Sequence, residues 1–113
     1  MSREFVALIR TRPEIPHLLE LVELPHGLQM GTRAGAIELF DENGHMLVAI
    51  RDPFLVQVPG ESERLLGIAT ATPAWWVEIQ AAATNSLAIE IAERCARTAA
   101  DLYGGTVWPP ADQ

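Results

Sequence analysis

A catalytic or metal-binding centre must be assembled from a few reactive side chain types, and in this sequence those side chains are sparse. Cys95 is the only cysteine, so neither an internal disulfide nor a multi-cysteine metal site can form within one chain. It sits among alanines on the inward stripe of a predicted helix, where a thiol acts as a small hydrophobe and desolvation disfavours the thiolate. The three histidines, His17, His26 and His45, have no cysteine beside them. His17 and Glu20 at i, i+3, with Glu14 or His26 in support, form the best two-ligand seed. A solvated helix face has the same pattern, so no metal and no cofactor is expected. Ser62 lies in Pro59-Gly60-Glu61-Ser62-Glu63, which lacks the glycine-flanked elbow that exposes a nucleophilic serine.

Other familiar patterns fail on one residue each. Asp41-Glu42-Asn43-Gly44 begins like a calcium loop, with Asp52 at its twelfth position, but the sixth position is Met46 in place of glycine. The flanks also read as strands, so a hairpin turn is expected there. Gly104-Gly105 closes a helix and does not open one, so it cannot aim helix N-terminal N–H groups at a phosphate. The carboxylate pairs Glu61 with Glu63 and Glu20 with Glu23 lack the apolar surroundings that separate an acid from a base. No residue is assigned a catalytic role, and the expectation leans away from an enzyme.

Two constellations remain. Arg10, Arg12 and Arg51 lie at or just beyond predicted strand ends, and Arg33 falls in the loop between Gly31 and Gly35. Convergence of the four would make a ligand-binding pocket for a carboxylate or phosphate. The alternative is a set of separate ion pairs with Glu4, Glu38 or Asp52. The second constellation is Trp75-Trp76, because alternation along a strand sends the two indoles to opposite faces. Trp76 then shares its side with Glu78 and Gln80. With Trp108 they form a candidate partner-binding surface, unless Trp76 is covered by the connection over residues 68–73 or by the tail Trp108-Pro109-Pro110.

These residues need a frame, and the apolar pattern supplies one. Phe5 to Arg10 is apolar on both sides of an extended chain and reads as an interior strand. Ile15, Leu18, Leu19 and Val22 follow at helical spacing, stopped by Pro25 and Gly27. Residues 28–35 read as a loop or weak edge strand. Ala36–Phe40 and Met46–Arg51 form a hairpin. Pro53 ends its second strand, after which Phe54–Val58 resumes an extended path and Glu61–Leu66 makes a helical turn or two. Trp75–Ala81 alternates as a half-buried strand. A long helix then carries Ala88, Ala92, Cys95, Ala99 and Leu102 inward and Glu90, Glu93, Arg94, Arg97 and Asp101 outward, before a short strand at Thr106–Trp108.

The order predicts one α+β domain over residues 1–113, with a mixed or antiparallel sheet of four to six strands. Two helices are expected on one face, in a decorated ferredoxin-like βαββαβ arrangement.

The basic residues are eight arginines with no lysine, and the net charge is −7. That excess of carboxylates repels polyanions and no basic run exists, so no nucleic acid is expected as a partner. No apolar run approaches the roughly 18 residues of a membrane span, and the chain's start lacks a signal-peptide core, so a cytoplasmic protein with no membrane partner is expected. The leading functional expectation is a non-enzymatic module that binds a protein, with a basic one electrostatically favoured, or itself as a homodimer, in the manner of a small inhibitor or immunity-type protein. The alternative is a small anionic-ligand binder or minor enzyme with an arginine-lined cavity.

Overall fold

A computed structural model describes residues 2–68 and 70–110. The elements run β1 (Ser2–Ile9), α1 (Ile15–Leu21), β2 (Gln29–Arg33), β3 (Ala36–Phe40), β4 (Met46–Ile50), β5 (Phe54–Val56), α2 (Glu61–Leu66), β6 (Ala74–Ala82), α3 (Ser86–Tyr103) and β7 (Gly105–Trp108). The fold is α+β, with an antiparallel sheet of seven strands in the order β2-β3-β4-β6-β1-β7 and β5 also paired to β6. The sheet is wider than the four to six strands expected. The higher count comes from β2, in a segment read as a loop or a weak edge strand and found to be an edge strand, and from β5, which continues the line of β4.

That continuation has a simple register. Ile50 faces Ile79 and Phe54 faces Trp76, four steps along one strand against three along the other. The extra residue is a bulge at Asp52-Pro53, where proline costs no ladder hydrogen bond. The Arg51 N–H still donates to the Glu78 carbonyl at 3.0 Å, so Pro53 interrupts the strand without ending it.

β1 is the spine. Phe5 to Ile9 is buried at every position, because β6 and β7 flank it and both sheet faces are covered there. Phe5, Ala7 and Ile9 join Val77, Ile79 and Ala81 of β6 in the main core. Ile15, Leu18, Leu19 and Val22 from the α1 segment, and Ala88, Ile91, Ala92, Cys95, Ala96 and Ala99 of α3, close that core. The small side chains let the α3 axis lie close to the sheet. Leu102, expected on the inward stripe, is exposed; Ala100 and Tyr103 face inward at that end of the helix instead. The even-numbered residues of the same strands, Val6, Leu8 and Trp76, form a second, smaller core with Val56.

Local chemistry fixes the ends. Asn85 Oδ1 accepts from the Ala88 N–H at 3.0 Å as the N-cap of α3. Arg94 pairs with Glu90 and also donates to the Glu23 carbonyl at 3.0 Å, tying the exit of α1 to α3. No side chain caps α1; the Glu14 N–H donates to the Tyr103 hydroxyl at 3.1 Å instead. In the β2–β3 hairpin, Ala34 and Gly35 have φ of 50° and 79°, the positive values a two-residue type I′ turn requires.

Candidate interaction surface

Trp76 was expected at a polar sheet face, free or covered. It is 5% exposed, so it is not itself a solvent-facing anchor. Several segments cover it. The Phe54 ring stacks on it with centroids 5.7 Å apart and 23° between planes. Leu66 of α2, Ile68 and Trp108 pack around the cluster it forms with Val6, Leu8 and Val56. Both covers weighed from the sequence thus contribute, and α2 and Phe54 add to them. Ser62, on the same side of α2 as Leu66, is also buried. Among the described residues, its Oγ and Trp76 Nε1 are the two buried side-chain polar atoms with no hydrogen-bond partner in the chain, an uncommon arrangement in a well-closed core.

The cover is itself apolar outside. Phe54 is 46% exposed, Val58 62% and Leu65 52%, whereas Leu55, paired with Trp75, turns to the opposite sheet face. β5 pairs with β6 alone, so its other side is a short free edge next to these residues. Glu78 and Gln80, the expected companions of Trp76, lie further along the same face and are engaged across strands. Gln80 Nε2 donates to Glu4 Oε1 at 2.9 Å, and Glu78 stands 3.9 Å from Arg51 Nε. Trp108, half-buried against the cluster, faces Val6 in register.

The four arginines do not converge. Arg33 binds Glu38 at 3.0 Å on the open face, Arg51 faces Glu78, and Arg10 lines a cleft with Thr70, Ala74 and Gly104. Arg12 lies 5.5 Å over the Trp75 ring. Arg12 and Arg51 do border one cleft of about 340 Å³, floored by Ile15, Ile37 and Ile50, but Glu14 and Asp52 line it too and offset their charge. Strand-end position, the signal that grouped these residues in the sequence, does not say which face a side chain takes.

The remaining candidates make local contacts. Asp41 Oδ1 accepts from the Asn43 and His45 N–H groups at 2.9 Å each. The His45 bond, ahead of the Asn43 bond, holds the Asp41 carboxyl below its usual pKa, so the calcium-like run is an aspartate-braced turn. His17 and Glu20 are 3.8 Å apart and exposed. Among the described residues, no three His, Cys, Asp or Glu side chains gather where they could hold a metal ion. No described helix is long and apolar enough to cross a membrane.

Cys95 is fully buried, and burial pushes its thiol up to about 12, against a small opposing pull from Arg94. The native state therefore holds a neutral thiol where the unfolded chain ionises, from about pH 8.5 upward. The stability this contributes is complete below that value and is lost as pH rises toward 12. Alkaline unfolding titrations of wild type and Cys95→Ala should show a steeper loss for wild type. Parallel curves would mean the thiol is accessible.

Comparison with family models, with curated proteins and with solved structures finds no match.

Proposed function

We propose that the protein is a non-enzymatic interaction module that binds another protein through the apolar surface running from β5 to α2 over Trp76. One observation carries this reading: among the described residues, Phe54, Val58 and Leu65 are three of the nine exposed large apolar side chains, and all three lie in the β5–α2 segment. Scattered apolar residues are normal on a protein surface, whereas a cluster rimmed by polar groups marks a contact site. The aromatic stack beneath it adds rigidity, as hot-spot anchors require. A net charge of −7 favours a basic partner and a cytoplasmic setting is consistent with the single buried thiol. The anion-binder alternative has less support, since its arginines are dispersed.

The frame is read as a decorated ferredoxin-like arrangement. Support comes from the order β7-β1-β6-β4, with α3 joining β6 to β7 on either side of β1 and with β2 and β3 added beyond β4. That likeness of topology implies no function by itself.

The test is a double charge insertion, Val58→Glu with Leu65→Glu. Both side chains are mostly exposed, so the fold should be retained. Binding of a captured basic partner, remeasured with purified components, should weaken by about 10-fold or more. Unchanged affinity would remove the patch from the contact.

A further inference from the structure

The two end strands of the sheet, β2 and β7, are built differently. β7 is four residues long, packs beneath α3 and runs into Pro109-Pro110. Short length, a covering helix and proline are the usual means of blunting an edge. β2 has none of these. It pairs with β3 over all five residues, Gln29 to Arg33, and its other side faces solvent with no proline, lysine or bulge in the strand.

The hairpin fixes which groups face outward. Arg33 and Ala36 close the two-residue turn as a register pair, so hydrogen-bonded pairs with β3 fall at Arg33, Gly31 and Gln29. Met30 and Thr32 therefore direct their N–H and C=O groups away from the sheet. One antiparallel register satisfies these four groups mutually within the strand: Met30 opposite Thr32 of a second copy and Gly31 opposite Gly31 on a two-fold axis. That axis pair is not hydrogen-bonded, and its Cα atoms approach to about 4.5 Å. Two glycines meet there without a clash.

Charge allows the approach at this strip. Residues 24–37 contain no carboxylate, and the one formal charge in β2 is Arg33. Arg33 is itself neutralised by Glu38 of β3, so two chains of net charge −7 would meet along a neutral strip, with the two Arg33 side chains at opposite ends beside Gln29 of the other copy.

We infer that β2 is a homodimerisation edge, pairing antiparallel with β2 of a second copy to join two sheets into one. The contact is isologous, as a two-fold interface must be. A single strand pair falls short of the roughly 1,200 Å² of a tight complex, so the dimer is weak and populates at high concentration. It uses a surface separate from the β5–α2 patch and stands or falls independently of it.

Sedimentation equilibrium from micromolar to near-millimolar protein tests this, together with amide exchange at Met30 and Thr32. The wild-type mass should rise toward the dimer, and exchange at those two amides should slow in step. Thr32→Pro removes an outward N–H that takes no part in the β2–β3 ladder, and Met30→Lys places two like charges near the axis. Both variants should keep the native circular dichroism and remain monomeric. A wild type that stays monomeric near millimolar overturns the inference. So does a dimer that both variants retain, or one lost only in the Val58→Glu, Leu65→Glu protein; the last result would leave the patch reading standing.

Discussion

Trp76→Ala lowers the unfolding free energy by about 3–5 kcal/mol in urea titrations, the range for deleting a large buried aromatic. The indole is nearly buried, and its neighbours Val6, Leu8 and Val56 come from strands fixed by long registers. They cannot collapse into the space it leaves. Trp76→Phe should cost much less, because it keeps most of the ring contacts and removes an Nε1–H that has no partner in the chain. Leaving such a donor unsatisfied costs about 1–3 kcal/mol. A cycle combining Trp76→Ala with Phe54→Ala reports the stack itself, with a coupling of about 0.5–1.5 kcal/mol expected. A loss below about 1 kcal/mol for Trp76→Ala would mean the second core contributes little to stability.

Gly105→Ala has a comparable effect for a different reason. A Cβ at Gly105 would fall on the Leu8 carbonyl oxygen and come within 2.8 Å of the Leu8 carbonyl carbon and Ile9 Cα. All three are backbone atoms of β1, which β6 holds along its full length on the other side. The strain cannot be relieved by rotating a side chain, so β7 must move outward. That breaks the pairing of Gly105 with Ile9 through Trp108 with Val6 and withdraws one of the covers from Trp76. A cost of at least about 2 kcal/mol is expected, with fast amide exchange confined to β7. Stability within about 0.5 kcal/mol of wild type would show that β7 does not dock as described.

The sequence made some of this legible because short-range patterns decided it. Alternation across Trp75–Ala81, the apolar run from Phe5 and the helical spacing from Ala88 onward each state their own burial, and each element formed. β2 left no such mark, since an edge strand exposed along nearly its whole length needs no apolar side. Pro53 reads as a strand end because a proline looks the same in sequence whether it ends a strand or occupies a bulge. Leu102 sat at helical spacing, but near the end of α3 the inward positions pass to Ala100 and Tyr103. Trp76 shows the limit most clearly. Parity gave its face, whereas its burial depends on Phe54, Leu66, Ile68 and Trp108, brought together by strand order that local patterns do not encode. The exposed Phe54 follows from the same cause: it covers Trp76 with one side of its ring and leaves the other to solvent.

The most direct measurement of the central claim is the affinity of a purified basic partner for wild type and for the Val58→Glu, Leu65→Glu protein at equal ionic strength. The account predicts a loss of about 10-fold or more with native stability unchanged. Equal affinities, in a variant whose unfolding curve matches wild type, would contradict it.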